Sequence, residues 1–117
     1  MENTENLIIY NTDDGQAKVA LYARDGNIFM NQAQLAELFD TSVQNISTHI
    51  SNILNENELS EGSVVKDYLI TATDGKDYNV RFYALDMILA IGFRVRSKRG
   101  TQFRKWANTH LKQYLVK

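Results

Sequence analysis

A cluster of amide and hydroxyl side chains lies between residues 41 and 55, and its chemistry fits the reading of base edges in DNA. A helical rotation of 100° per residue places Gln44, Thr48 and Ser51 opposite Ile46. Amides can pair with adenine through two hydrogen bonds, and hydroxyls bond to several base edges. A face that is merely solvated would more often carry Glu and Lys. The candidate base-reading residues are Ser42, Gln44, Asn45, Ser47, Thr48 and Ser51.

Two short amphipathic helices, at about residues 31–39 and 43–55, are predicted to position that cluster. The small Ala36 in the first helix allows a close approach, and Ile46 and Ile50 in the second seal a steep crossing. This spacing is typical of a helix-turn-helix, whose second helix enters the major groove. A polar helix pair in some other small domain is the alternative. The residues predicted to face inward are Leu35, Ala36, Leu38, Phe39, Val43, Ile46, Ile50, Ile53 and Leu54.

Local signals predict the elements around this helix pair. Asn31 with Gln34, and Thr41 with Gln44, each fit a capping box at a helix start. Short β-prone runs before the helices, at residues 7–10, 18–22 and 27–30, predict an antiparallel meander. After the helices, Asp74-Gly75 joins two β-prone runs within 64–83 and predicts a hairpin. A hairpin in this place is typical of a winged helix, although it also fits a hairpin used only for packing.

The last third of the chain predicts two helices with a basic loop between them. A helix over 84–91 ends near Gly92, residues 94–100 form the loop, and Thr101 caps the final helix. The apolar face of that helix carries Phe103, Trp106, Ala107, His110, Leu111, Tyr114 and Leu115. The fold class predicted is therefore α+β, a winged helix-turn-helix-like domain with an N-terminal β-meander and C-terminal helices, spanning residues 1–117.

Charge is distributed unevenly along the chain. All 14 acidic residues lie at or before Asp86, whereas eight of the 13 Lys and Arg residues lie from Arg94 onward. Such polarity predicts an electropositive surface although the net charge is only −1. The candidate phosphate-binding residues are Lys76, Arg94, Arg96, Lys98, Arg99, Arg104 and Lys105. The alternative pairs the C-terminal cations with Glu56, Glu58 and Glu61 of the same domain.

Other function classes are disfavoured by what the sequence lacks. It has no cysteine, no apolar run of membrane-spanning length and no secretory signal, which together predict a cytoplasmic protein without membrane contact. His49 and His110 are isolated, and neither a glycine-rich phosphate loop nor a nucleophile elbow occurs. We expect no enzyme activity, no cofactor and no metal site.

The run FYALD at residues 82–86, followed by GFRVRSKRGTQFRKWA at 92–107, resembles the RhuM family. The members are bacterial proteins named for virulence, and this chain resembles their N-terminal domain over nearly all of its length. The resemblance implies a longer parent protein with a C-terminal effector region, because relatives continue past this point or are joined to Doc or Fic toxin modules. Residues 103–106 are also similar, more weakly, to BRO-type phage antirepressor domains.

Two classes of function remain open from the sequence. The first is a DNA-binding module, such as a transcriptional regulator, that reads double-stranded DNA with helix 41–55 and holds phosphates with segment 94–105. The second is a protein-interaction or adaptor domain that keeps the winged-helix architecture without DNA contact. The sequence leaves open whether the domain acts as a homodimer.

Overall fold

The computed structural model describes residues 6–112 and has a mixed α+β fold. Its strands are β1 (Asn6–Asn11), β2 (Lys18–Arg24), β3 (Asn27–Met30), β4 (Val65–Thr71) and β5 (Asp77–Ala84). Its helices are α1 (Gln32–Phe39), α2 (Val43–Asn55), α3 (Glu61–Val64), α4 (Leu85–Val95) and α5 (Lys98–His110). The meander, the first two helices and the hairpin lie where the sequence predicts them, and two C-terminal helices follow as predicted but with different bounds. The sequence does not predict the short helix α3, which lies between the helix pair and the hairpin.

One antiparallel sheet contains all five of these strands, in the order β1-β2-β3-β5-β4. Phe29 lies opposite Ala84 and Met30 opposite Tyr83, so β3 joins the N-terminal meander to the later hairpin. The sequence predicts both hairpin units but not this junction, because strand pairing between distant segments depends on tertiary contacts. The single sheet therefore contains strands that precede the α1–α2 pair in the sequence and strands that follow it.

The core lies between one face of this sheet and the helices. Leu21 and Met30 from the sheet, Leu35 from α1 and Ile46 from α2 are all fully buried. Tyr10 on β1 packs edge-on against Phe103 of α5, with ring centroids 5.4 Å apart. On its inner side α2 packs mainly against α1 and α4, which leaves its outer side to solvent.

Helix α1 begins and ends as local chemistry dictates. Asn31 accepts a hydrogen bond from the Gln34 amide, and the Gln34 side chain accepts one from the Asn31 amide, so the predicted capping box is confirmed. At the other end Asp40 adopts a left-handed conformation with φ 55°. The amide of Thr41 then donates to the carbonyl of Ala36 at 2.9 Å, which closes the helix and turns the chain toward α2.

Two predictions at the start of α2 are wrong. The cap is Ser42 rather than Thr41, because the Ser42 hydroxyl accepts from the Asn45 amide at 3.0 Å. Val43 is 48% exposed, because it lies in the first turn beyond the contact with α1. Ile46, Ile50 and Ile53 are buried as predicted, and Leu54 is half-buried.

The predicted basic loop at 94–100 is also wrong. Helix α4 continues to Val95, Arg96 adopts a left-handed conformation with φ 55°, and α5 already begins at Lys98 with Ser97 as its cap. Two residues thus reverse the chain. This tight reversal is possible because Gly92 and Gly100 meet where the helices cross, with no side chain between their backbones.

Of the predicted apolar face of α5, Phe103, Ala107 and Leu111 are buried and Trp106 is half-buried, but His110 is exposed. Tyr114 and Leu115 lie outside the described residues.

Candidate nucleic-acid interface

The outer face of α2 is polar and carries no charged side chain. Gln44, Ser47, Thr48 and Ser51 are exposed on it. The Thr48 hydroxyl donates to the carbonyl of Gln44 at 3.1 Å, which leaves its oxygen lone pairs able to accept from a ligand. These four residues occupy neighbouring turns of one helix, so the structure brings together most of the predicted base-reading set. A surface of this kind offers donors and acceptors without a fixed charge.

Ser42 and Asn45 have structural tasks at the start of the same helix. The Ser42 hydroxyl accepts from the Asn45 amide, while the Asn45 side chain donates to the hydroxyl of Thr41 at 2.8 Å. Asn45 is half-buried as a result of its position beside the turn. Both residues lie next to the predicted reading face, but their hydrogen bonds first of all hold the turn between α1 and α2 in shape.

Two cations from the junction of α4 and α5 flank α2. Lys98 lines a groove with Thr41 and Asn45, and Arg96 lines a second groove with His49 and Asn52. Both cations are exposed, and neither has a carboxylate partner within residues 6–112. The reversal between α4 and α5 therefore places two available positive charges beside the polar helix face.

Arg94 forms ion pairs within the domain, because its guanidinium contacts both Glu56 and Glu58 at 2.8 Å. These hydrogen bonds raise the pKa of Arg94 above its ordinary value. They also link α4 to the residues that directly follow α2. The sequence leaves open whether the glutamates or DNA would take this arginine, and the structure places it with the glutamates.

Arg99 is likewise engaged within the fold. It contacts the carboxylate of Asp14 at 3.1 Å and donates to the carbonyl of Glu37, in the last turn of α1, at 2.9 Å. Its side chain is only 11% exposed. A cation at this position satisfies a helix C-terminus and complements the helix dipole. Arg99 therefore connects the β1–β2 loop, α1 and α5 rather than projecting toward a ligand.

Asp14 has a pKa lowered to about 2 from 3.8. The largest cause is the hydrogen bond from the Thr12 hydroxyl at 2.6 Å, followed by the one from the Gln16 amide at 3.0 Å. Arg99 adds to the shift through a hydrogen bond and its charge. The ionised form of the Asp14 carboxylate is thus stabilised more by hydrogen bonds within its own loop than by Arg99.

The remaining predicted cations line neither of these two grooves. Arg104 on α5 places its guanidinium 4.1 Å from the ring centroid of Phe93, and Lys105 beside it is exposed. Lys76 is exposed at the tip of the β4–β5 hairpin, where its amide donates to Asp74. The Asp74 carboxylate also accepts from Tyr78 at 2.7 Å, and these bonds lower the pKa of Asp74. A fixed negative charge therefore lies next to the hairpin cation.

Sequence reasoning missed two exposed apolar residues on this side of the molecule. Val43 at the start of α2 is 48% exposed, and Phe93 on α4 is 61% exposed and lines the groove that also contains His49. A signal for Phe93 is present, since it follows Gly92 outside the apolar spacing of α4. Such residues matter because apolar side chains beside a polar face can contact a protein partner as well as DNA.

Two structural observations bear on other kinds of site. Within residues 6–112, no three His, Asp or Glu side chains come together in a way that could hold a metal ion. In the same part of the chain, no helix is both long enough and apolar enough to cross a lipid bilayer.

The fold and this surface define a mixed α+β domain with a polar helix face flanked by cations. Residues 63–117 match the model of the Virulence protein RhuM family, so this part of the chain is similar to that family, as the sequence predicts. The match contains the hairpin, α4 and α5, whereas α1 and α2 precede it. The similarity to BRO-type domains stays a prediction. No curated protein and no solved structure gives a significant match to the chain.

Proposed function

We infer that the domain binds double-stranded DNA and reads it with the outer face of α2. The observation that carries this inference is the face itself, on which Gln44, Ser47, Thr48 and Ser51 are exposed without any charged neighbour among them. A helix of this kind can enter the major groove, where an amide distinguishes adenine and hydroxyls contact several bases. A regulator of transcription is the kind of protein that uses such a module.

The order of elements supports a winged helix-turn-helix. Helices α1 and α2 are separated only by Asp40, Thr41 and Ser42, and the β4–β5 hairpin follows α2 after α3. Strand β5 of the hairpin pairs with β3, which directly precedes α1. The hairpin is thus fixed to the same body as the helix pair, which supports our proposal that it acts as a wing on the phosphate backbone.

The phosphate contacts that we propose are a smaller set than the sequence predicts. Arg94 and Arg99 have carboxylate partners, so their contribution to DNA binding requires breaking ion pairs. Of the predicted phosphate-binding residues, those without such partners in the described part of the chain are Arg96, Lys98, Arg104, Lys105 and Lys76. Arg96 and Lys98 line grooves beside α2 and are the first candidates, since contacts to phosphates position a reading helix.

A protein-interaction or adaptor domain is the second candidate. It is favoured by the exposed Val43 and Phe93, which flank α2 and its groove, and by the internal pairing of two of the predicted phosphate-binding arginines. In that case the same surface meets a protein partner and the polar face of α2 forms the rim of the contact. A DNA-binding domain of this kind should prefer a particular DNA sequence, whereas an adaptor domain should not, and an experiment can measure this difference.

Selection of bound duplexes from a random pool tests the proposed function. We expect enrichment of a defined site, and Gln44→Ala should weaken binding to that site by about 1–3 kcal/mol and relax the preference at one base pair. Gln16→Ala is the control, because Gln16 is an exposed glutamine that belongs to the β1–β2 loop and not to α2. A pool that yields no enriched site, or a Gln44→Ala variant that selects the same site as strictly as the parent, would contradict base reading by this face.

A further inference from the structure

The sheet has a second face, on the side away from the helices, and it is strongly apolar. Four large apolar side chains are exposed there: Leu7, Ile9, Ile70 and Tyr78, with exposures between 42% and 60%. The strand register places Leu7 beside Tyr22, Tyr22 beside Phe29, and Ile70 beside Tyr78. Because alternate residues point to opposite faces, these side chains lie opposite the core residues Leu21 and Met30. An apolar surface of this kind is unusual unless it binds something.

A pocket of about 340 Å³ lies in the middle of this face. The Tyr22 and Phe82 rings are 5.6 Å apart at its wall, and Phe29 and Tyr68 are 5.9 Å apart. The guanidinium of Arg24 on β2 lies 4.3 Å from the ring centroid of Tyr68 on β4. Two strands separate β2 from β4 in the sheet, so this contact reaches across β3 and β5. Ile70 of β4 and Val80 of β5 also line the pocket.

The strand charges on this face are all positive. Arg24 shares it with Tyr22, Lys66 lies opposite Phe82, and Lys18 lies two positions from Ala20 in the same alternation. The carboxylates of Asp67 and Asp77 belong to the alternate positions of β4 and β5 and so lie on the other face. Asp25, in the turn after β2, approaches Arg24 at 3.9 Å but is 75% exposed. The pocket thus combines an aromatic lining with a positive edge.

We propose that this pocket binds a small aromatic carboxylate. The ring lies among the edges and faces of Tyr22, Phe29 and Phe82, where aromatic contacts prefer tilted and edge-on arrangements. The carboxylate faces Arg24, whose planar guanidinium has five N–H donors and can serve a carboxylate along with its existing partners. The volume and the mainly apolar lining with few polar groups are those of small-molecule sites. The site is separate from α2 and does not rest on the proposed DNA binding.

Titration of the isotopically labelled chain with indole-3-acetate, followed by backbone amide chemical shifts, tests the proposal. We expect saturable shifts confined to β2, β3, β4 and β5 around the pocket. The neutral isostere indole-3-acetamide should bind at least about tenfold more weakly, because it cannot form a charge-assisted pair with Arg24. Hexanoate, an acid without a ring, should also bind more weakly. Equal affinity for the acid and the amide, or shifts scattered over the whole surface, would overturn the assignment.

Two variants distinguish the pocket from its surroundings. Ile70→Trp adds a large ring at a half-exposed strand position that lines the pocket, so it should fill the space and abolish binding while the chain stays folded. Arg24→Gln should weaken the acid far more than the amide. Lys105→Gln removes one positive charge from α5 and is the matched control, which should bind as the parent does. A folded Ile70→Trp chain that binds indole-3-acetate with unchanged affinity would contradict the site, and Gln44→Ala should leave this binding unaltered whatever it does to DNA.

Discussion

Arg99 and Arg96 are neighbouring cations of one basic segment, but Arg99 makes contacts within the fold and Arg96 is exposed to solvent. Arg99 is 11% exposed and holds Asp14 and the end of α1, whereas Arg96 is exposed beside His49 without a carboxylate partner in the described residues. The sequence predicts the positive charge of both. It could not predict which one is internal, because Asp14 is far from Arg99 in the chain and meets it only through the fold.

A matched pair of substitutions separates these tasks. Arg99→Gln should lower the melting temperature by several degrees, because it removes an ion pair and a helix-end hydrogen bond that are largely shielded from solvent. Arg96→Gln should leave the melting temperature nearly unchanged, since surface substitutions without partners usually do. Thermal melts followed by circular dichroism measure both. Equal destabilisation by the two variants would show that the contact of Arg99 with Asp14 and α1 carries no stability.

Acid should weaken the fold partly through Asp14. The pKa of Asp14 is lowered to about 2 in the folded chain against an ordinary 3.8, so its ionised form favours the folded state. That contribution is present above about pH 4 and is lost as the pH falls toward 2. We expect the melting temperature of Asp14→Asn to depend less on pH in this window than that of the parent. Asp67 and Asp74 also have lowered pKa values and keep some dependence in the variant. If the melting temperature fell equally with pH in the parent and in Asp14→Asn, this role of Asp14 would be contradicted.

At the scale of elements, the crossing of α4 and α5 depends on a glycine pair. A Cβ on Gly100 would lie 2.7 Å from the carbonyl oxygen of Gly92, and backbone atoms cannot move aside as a flexible side chain can. Gly100→Ala should therefore destabilise the chain by about 1–3 kcal/mol although alanine is the better helix former. Equilibrium unfolding in urea measures the change in the free energy of unfolding.

Gly62→Ala is the control for that substitution. Gly62 also lies in a helix, α3, but a Cβ there would meet nothing within 4 Å. Its stability should stay within about 0.5 kcal/mol of the parent. If Gly100→Ala were as stable as Gly62→Ala, the close crossing of α4 and α5 would not be a constraint on the fold.

Element positions follow from the sequence where the signal is local and fail where it is not. The Asp74-Gly75 turn and the Asn31–Gln34 capping box depend on residues a few positions apart, and both are confirmed. The sequence predicts the end of α4 too early because Gly92 indicates a helix end, whereas here it serves the contact with Gly100. The pairing of β3 with β5 brings together segments on either side of the helix pair, and no local pattern could have revealed it.

At the scale of the whole molecule, the uneven charge of the sequence is only partly neutralised by folding. Glu56, Glu58 and Asp14 take up two of the C-terminal arginines, and the cations left without carboxylate partners in the described part include two beside α2. The candidate reading face could be predicted from helical spacing alone. The identity of the cations that accompany it could not, because that depends on which acids the fold brings near them.

We propose that α2 reads DNA while Arg96 and Lys98 hold its phosphates, and the salt dependence of DNA binding is the measurement that distinguishes this arrangement from one without phosphate contacts. The affinity of the chain for its selected duplex is measured across salt concentrations, for the parent and for the double variant Arg96→Gln/Lys98→Gln. Removing one cation that neutralises a phosphate should reduce the slope of log affinity against log salt by about 0.9, so the double variant should be shallower by nearly 2. Its melting temperature should match that of the parent. An unchanged slope in a folded double variant, or no salt-dependent binding by the parent, would contradict the claim.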